Sequence, residues 1–173
     1  MHYLWTIKQY IQKNMEEFNI SISVIKKNQD ELTKEESTLV ENAKEATLRS
    51  YAPYSRFCVG AAVLLEDGTI VTGSNQENSA YPSGICAERT TMFYANSQYP
   101  DKKVKCICIA ARGTDGNFTG RPISPCGACR QVLSESEDRS KSPIKVMLYG
   151  MDGIYIINSV KDLLPVSFDA SFL

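Results

Sequence analysis

Three cysteines and one glutamate have the types and spacing that metal-assisted hydrolysis requires. Cys126 and Cys129 form a Cys-x-x-Cys pair, so both thiols lie on one face if this segment is helical. With Cys86 they provide three thiolate ligands, which leave the fourth position of a tetrahedral zinc ion for water. Glu88 follows Cys86 by two residues and is near enough to exchange a proton with that water without binding the metal. These residues predict a catalytic zinc centre with Glu88 as its proton carrier.

The predicted centre is rich in negative charge, and the sequence offers groups that offset it. Three thiolates around zinc give a net charge of about −1, which opposes the ionisation of water. Cys86 and Cys126 both lie at predicted helix starts, where amide dipoles stabilise negative charge. Arg89 is placed to donate hydrogen bonds to the thiolates. Pro125 precedes Cys126 at the helix start, and Arg130 lies nearby, although it would equally well face solvent.

The elements that must position these residues alternate between strands and helices. A capping box at residues 33–36 predicts a helix that ends near Ser50, and Asp67-Gly68 predicts a hairpin. A polar loop at residues 75–81 and a charged, serine-rich loop at Glu135–Ser142 are also expected. Helices are predicted to begin near Cys86, near Pro125 and at Ser159, and strands are predicted at residues 57–65, 69–75, 104–110, 144–149 and 154–157. This order favours an α/β fold with a mixed sheet of about five strands.

The first 32 residues are predicted to form an N-terminal extension, and residues 33–173 a single catalytic domain. Residues 1–14 carry no motif. A half-buried strand is predicted after them, because apolar residues alternate there with polar ones. The apolar residues of this alternation are Phe18, Ile20, Ile22 and Val24.

Composition and charge exclude several functional classes. The chain has 173 residues, of which 43% are hydrophobic and 23% charged, which is typical of one globular domain. Its net charge of −1 argues against a nucleic-acid groove, and no apolar run is long enough to cross a membrane. The single histidine, His2, makes a Ser-His-Asp triad untenable. Six cysteines without a signal-peptide core predict a cytoplasmic protein with reduced thiols.

Four motifs, in order along the chain, resemble those of the small, homotetrameric, zinc-dependent cytidine deaminases. The resemblance extends from about Leu39 to about Phe168. It implies a three-layer α/β/α fold, one zinc ion per subunit, and hydrolysis of cytidine and 2′-deoxycytidine to uridine and 2′-deoxyuridine with release of ammonia, as in pyrimidine salvage. The motifs that carry it are Phe57–Ala62, Asn75–Asn78, Cys86–Arg89 and Pro125–Gln131.

The same resemblance assigns the contacts with a nucleoside. It implies that Asn75 and Glu77 hold the ribose hydroxyls, and residues two apart in an extended loop do point to the same side. It also implies that Phe57 lies against the pyrimidine and that the backbone of Ala87 contacts the base. Each position has a plainer interpretation, since Asn75 and Glu77 suit an ordinary turn and Phe57 suits a strand core.

Two further aromatic residues suggest that subunits share their active sites. Tyr81 and Phe168 correspond to rings that the family contributes across subunit boundaries, which implies a homotetramer. Local packing is the alternative for both residues.

Alternative chemistry for the cysteines stays open in the sequence. A structural zinc site would add a fourth thiol from Cys58, Cys106 or Cys108, although the last two suit a strand core. A redox pair at Cys126 and Cys129 would leave Cys86 and Glu88 without a purpose. Glu88 by itself would suit a helix-start charge.

Alternative functions also stay open. They are deamination of another cytosine-bearing small molecule, such as a nucleoside antibiotic, and a non-catalytic zinc-binding interaction module. An editor of cytosine in RNA or DNA is disfavoured, because the chain has no interleaved basic and aromatic stretch.

Overall fold

The fold is a mixed β-sheet with helices on both faces. A computed structural model describes residues 16–173, so the predicted motif-free segment at 1–14 lies outside the described residues. The strands are β1 (Ile25–Lys27), β2 (Phe57–Leu65), β3 (Ile70–Ser74), β4 (Val104–Gly113), β5 (Lys145–Gly150) and β6 (Gly153–Ile157). The helices of eight or more residues in this range are α1 (Lys34–Ala46), α2 (Ala87–Gln98) and α3 (Gly127–Ser140). None of the described helices is long and apolar enough to cross a membrane.

The sheet has the order β1-β6-β5-β4-β2-β3. Strands β4 and β5 are parallel, and the other neighbouring pairs are antiparallel. The mixed sheet confirms the predicted fold class, with six strands where about five were expected. The additional strand is β1, which pairs Ile25 with Ile156 at the sheet edge.

Two apolar cores account for the three layers. Successive residues of a strand point to opposite faces, so the unbroken apolar run of β2 serves both cores. Ala61, Val63 and Leu65 pack towards α2 and α3, and the residues between them pack towards α1. Gly60 lets α1 approach the sheet closely, because a Cβ there would collide with the backbone carbonyl oxygen of Ala43 in that helix. The expected α/β/α layering is therefore confirmed.

Helix α1 begins as the sequence predicts. Thr33 is its N-cap and accepts a hydrogen bond from the Glu36 amide, and the Glu36 carboxylate accepts one from the Thr33 amide. The buried Glu36 carboxylate also accepts hydrogen bonds from Lys27 and Lys145, at 3.2 and 3.1 Å. One side chain thus links β1, α1 and β5.

The predicted loop at Glu135–Ser142 is wrong, because α3 continues to Ser140. The side chains that turn inward there are polar, which hid the helical periodicity. Glu137 is 5% exposed, and its carboxylate accepts hydrogen bonds from the amides of Ile144 and Val160, both at 2.8 Å. Lys141, in the left-handed conformation, ends the helix.

The predicted strand at residues 18–24 is also wrong in position. The segment has no regular secondary structure, and the strand begins only at Ile25. Within the described chain, β6 pairs with residues 25–27 alone, so the alternating side chains before them lack a neighbouring strand. Phe18 is accordingly 75% exposed.

Candidate metal centre

Sheet topology brings the three cysteines together. Strands β3 and β4 are both antiparallel to β2, so they run in the same direction and end at the same edge of the sheet. Helices α2 and α3 follow these strands, and their first turns therefore lie side by side. Cys86 is the N-cap of α2, Cys126 is the N-cap of α3, and Cys129 lies in the first turn of α3.

The sulfur positions fit a zinc ion. A Zn–S bond of about 2.3 Å in tetrahedral geometry places ligand sulfurs about 3.8 Å apart. The Sγ atoms of Cys86 and Cys126 are 3.9 Å apart, and those of Cys126 and Cys129 are 3.4 Å apart. Across residues 16–173, the group of side chains able to bind a metal here consists of these three, with all ligand atoms within 4.8 Å of one another. A zinc ion held by this group keeps one tetrahedral position free.

The spare cysteines do not complete a four-thiol site, since none of Cys58, Cys106 and Cys108 belongs to the group of converging ligands found in residues 16–173. Cys106 and Cys108 are buried in β4, and their side chains belong to the core beneath α1, on the opposite face of the sheet from α2 and α3. Burial raises the pKa of the Cys106 thiol to about 12 and that of Cys108 well above its ordinary value. Both therefore behave as small core residues.

Charge around the sulfurs favours ionisation of one of them. The pKa of the Cys86 thiol is lowered to about 5, first by hydrogen bonding with Cys129 and further by Arg89, which outweigh the opposing effect of burial. The Nη2 of Arg89 lies 3.9 Å from the Cys86 sulfur, as expected for the predicted cation. The pKa of Cys129 is raised, because it shares its proton with Cys86 and is buried.

Glu88 lies beside the sulfurs, in the first turn of α2. Residues two apart do not share a face of a regular helix, but Cys86 has an extended backbone as the N-cap and is thereby released from that constraint. Glu88 is 4% exposed, and burial raises its pKa, to which the charge of Cys86 also contributes. A buried carboxyl with a raised pKa is suited to taking up and returning a proton near neutral pH.

A cavity of about 530 Å³ opens beside Cys86. It is large enough for a nucleoside-sized ligand. Five residues that the sequence motifs indicated line it together with Tyr54, which no motif indicated. These lining residues are Tyr54, Asn75, Glu77, Tyr81, Cys86 and Arg89.

Asn75 and Glu77 hold the wall of this cavity in shape. The side-chain Oδ1 of Asn75 accepts a hydrogen bond from the Val59 amide at 2.8 Å, and its side-chain Nδ2 donates to the Phe57 carbonyl at 2.9 Å. The Glu77 Oε2 accepts from the amide of Tyr54 at 2.9 Å. The pKa of Glu77 is lowered, first by the Ser55 hydroxyl and then by these backbone amides. Asn75 keeps one N–H and Glu77 keeps its charge for a ligand.

Three of the predicted substrate-binding residues do not line the cavity. Phe57, 37% exposed, begins β2 behind Asn75, and Ala87 is fully buried below Cys86. Phe168 lies in the C-terminal segment, where its ring stacks on Phe172 with centroids 5.6 Å apart. Tyr81 does reach the cavity and meets Tyr54 edge to face, at 5.9 Å.

Pro125 and Arg130 form the support of Cys126. Pro125 is buried, and its carbonyl accepts a hydrogen bond from the Nε of Arg130 at 2.9 Å. The sequence left the direction of Arg130 undecided. Its guanidinium in fact turns back onto the loop before Cys126.

Comparison with known proteins agrees with this geometry. A family model described as the cytidine and deoxycytidylate deaminase zinc-binding region matches residues 33–142. The cytidine deaminase of Halalkalibacterium halodurans is 41% identical over 132 residues, which are 76% of this chain and 92% of that protein. The cytidine deaminase of Sporosarcina psychrophila is 44% identical over 130 residues, which are 75% of this chain and 88% of that protein.

A solved structure has the same fold. The crystal structure of cytidine deaminase from Burkholderia pseudomallei superimposes with a TM-score of 0.67 and is 38% identical. The match covers 79% of this chain and 100% of that chain.

Proposed function

The chain belongs to the cytidine and deoxycytidylate deaminase family, and we propose that it hydrolyses cytidine and 2′-deoxycytidine to uridine and 2′-deoxyuridine with release of ammonia. The observation that carries this proposal is the buried Glu88 beside three sulfurs spaced for zinc, one of which, that of Cys86, lines a cavity of nucleoside size. The reaction adds water to C4 of the cytosine ring, breaks the C–N bond to the exocyclic amine and leaves a carbonyl.

Cys86, Cys126 and Cys129 would hold one zinc ion through their Sγ atoms. Zinc bound there supplies the Lewis acidity that makes water a nucleophile at neutral pH. The Glu88 carboxylate takes a proton from the attacking water and gives it to the ring nitrogen N3. It then takes the proton of the new C4 hydroxyl and gives it to the departing amine, so that the C–N bond breaks and the carbonyl forms. Arg89 would contribute to keeping Cys86 ionised through the 3.9 Å contact with its sulfur.

The cavity wall would orient the nucleoside. Asn75 offers its remaining N–H, and Glu77 offers a carboxylate, which suits ribose hydroxyls that both accept and donate hydrogen bonds. The backbone of Ala87 would contact the base. Phe57 is next to Asn75, and its exposed ring would lie against the pyrimidine after changing its rotamer.

The active form would be a homotetramer whose subunits share their sites. Tyr81 and Phe168 are 73% and 59% exposed, and Phe168 does not reach the cavity of its own chain. A neighbouring subunit would therefore provide the ring that closes each cavity. Sedimentation equilibrium should give four times the chain mass, and a monomer at assay concentration would contradict the shared site.

The cytosol is the compartment that suits this centre. The Sγ atoms of Cys126 and Cys129 are free thiols only 3.4 Å apart, and an oxidising compartment would favour their pairing over metal binding. No nucleic acid or membrane is required for the proposed reaction.

The decisive experiment measures ammonia release from cytidine by the zinc-loaded protein and by Glu88→Gln. The variant should bind zinc in equal amount, yet its kcat should fall by about 10²–10⁴, because the proton carrier is lost. Glu45→Gln, at an exposed position of α1, is the matched control and should retain full activity. A metal chelator should abolish turnover in the parent protein. Consumption of a different cytosine-bearing compound, with negligible turnover of cytidine, would refute the proposed substrate.

A further inference from the structure

Arg130, on α3, joins the loop before this helix to the turn after β6, close to the metal centre. Its Nε donates to the Pro125 carbonyl at 2.9 Å, its Nη1 to the Leu163 carbonyl at 2.8 Å, and its Nη2 to the Ser124 hydroxyl at 3.0 Å. All three nitrogens of the guanidinium are therefore engaged. The acceptors lie in the loop before α3 and in the turn after β6.

Among the three cysteines, Cys126 is the most exposed, while Cys86 is half-buried. Cys129 is fully buried and lies within the helix, so its position is fixed by packing. Cys126 is exposed, and as an N-cap its side chain makes no capping hydrogen bond. The loop that leads to it, residues 114–126, contains no helix or strand. The two residues directly before Cys126 are the ones that Arg130 holds.

We infer that Arg130 is a positioning residue, which fixes the Cys126 thiol for metal binding by clamping Ser124 and Pro125 against α3. This inference rests on the proposed zinc-binding role of the cysteines. Without the clamp, the loop is free to carry the Cys126 sulfur away from the other two. Groups that orient metal ligands from outside the coordination sphere are typically worth 10–100-fold in metal affinity.

Lysine cannot replace the guanidinium here. The three acceptors belong to three different residues, and each accepts a hydrogen bond from a different nitrogen of the planar guanidinium group. An ammonium group is a single centre at the end of a flexible stem, so it would satisfy fewer of them. Arg130→Lys retains the charge and should still lose part of the metal affinity.

The chain provides two matched controls on the same helix. Arg139 donates to the Pro100 carbonyl at 3.1 Å, on the surface and away from the cysteines, so Arg139→Gln removes an equivalent bond without touching the clamp. Gln131 donates to the Phe168 carbonyl at 2.9 Å, so Gln131→Ala loosens the C-terminal segment without freeing Pro125. Neither control should change the affinity for zinc by more than about twofold.

The experiment titrates zinc against a chromophoric chelator in reduced full-length protein, with cobalt(II) absorption as the readout of thiolate geometry. Arg130→Gln should bind zinc about tenfold more weakly, and its cobalt–thiolate bands should change. Arg130→Lys should fall between it and the parent. Equal zinc affinity of Arg130→Gln and Arg139→Gln would overturn the inference.

Thermal unfolding with and without zinc separates positioning from general support of the fold. A tenfold weaker site corresponds to about 1.4 kcal/mol, so the stabilisation gained on adding zinc should shrink in Arg130→Gln. If the variant instead loses the same stability in both states, the role is structural and the inference is wrong. If Arg130→Gln does not fold, Arg130→Lys decides by the same two measurements. Failure of the parent protein to bind zinc would overturn the proposed function itself, which is a distinct result.

Discussion

Glu137 should be one of the most important single residues for stability, although it is remote from the cysteines. Its carboxylate is buried and accepts hydrogen bonds from the amides of Ile144 and Val160 and from the Ser159 hydroxyl. It thereby joins the last turn of α3 to the start of β5 and to the turn after β6. Glu137→Ala leaves two buried amides without an acceptor.

The expected loss follows from that count. Each buried and unsatisfied amide costs about 1–3 kcal/mol, so Glu137→Ala should lower the free energy of unfolding by about 2–6 kcal/mol. Glu137→Gln keeps one acceptor oxygen but not the charge, so it should cost about 1–2 kcal/mol. Proteins of this kind are stable by only about 5–15 kcal/mol, so the alanine variant approaches unfolding at physiological temperature.

Urea titration of the zinc-saturated protein, at one fixed protein concentration, measures both variants. The control is Glu135→Ala, because Glu135 lies on the exposed face of the same helix. This control should change the free energy of unfolding by less than about 0.5 kcal/mol. If Glu137→Ala falls within that range of Glu135→Ala, the reasoning about buried amides is wrong.

Three more perturbations test other parts of the structure. Gly60→Ala should lower the free energy of unfolding by about 2–3 kcal/mol, because the added Cβ would collide with the carbonyl of Ala43. The control is Gly127→Ala, whose Cβ would meet nothing within 4 Å, and urea titration should find no such loss for it. Burial raises the pKa of Glu36, but hydrogen bonds outweigh it and hold the pKa below the ordinary 4.5, so this carboxylate stabilises the fold above that pH. The stability difference between the parent and Glu36→Gln should therefore be full at pH 7 and shrink as pH falls below about 4.5; a difference that grows on acidification would contradict this sign. Glu77→Gln should raise the KM for cytidine by about tenfold with little change in kcat, since it removes a charged acceptor for the ribose hydroxyls. An unchanged KM in steady-state assays would exclude that contact.

Local signals were sufficient for most elements of the fold. The capping box predicted the start of α1 at Thr33, and the apolar run predicted β2 at its observed bounds. These signals succeed because caps and strand alternation depend on neighbours within a few residues. The errors fall where distant residues decide. Helix α3 was predicted too short because the partners of Glu137 lie on β5 and beyond β6.

The N-terminal segment illustrates the same limit. Its alternation predicted a half-buried strand at residues 18–24, but a strand requires a neighbour with free hydrogen-bonding groups, and these residues are exposed. Strand β6 provides that neighbour only for Ile25–Lys27. The domain boundary predicted after residue 32 stays a prediction.

By itself, the sequence determined the chemistry of the centre, because ligand types and the spacing of Cys126 and Cys129 are local properties of the chain. Tertiary structure alone decided that the Sγ atoms of Cys86 and Cys126 lie 3.9 Å apart. This distance depends on β3 and β4, which run in the same direction and end at the same edge of the sheet. It also decided the direction of Arg130, whose acceptor at Leu163 lies far along the chain. Side-chain contacts between segments remote in sequence leave no local pattern, and the fold has to bring them together before they can be seen.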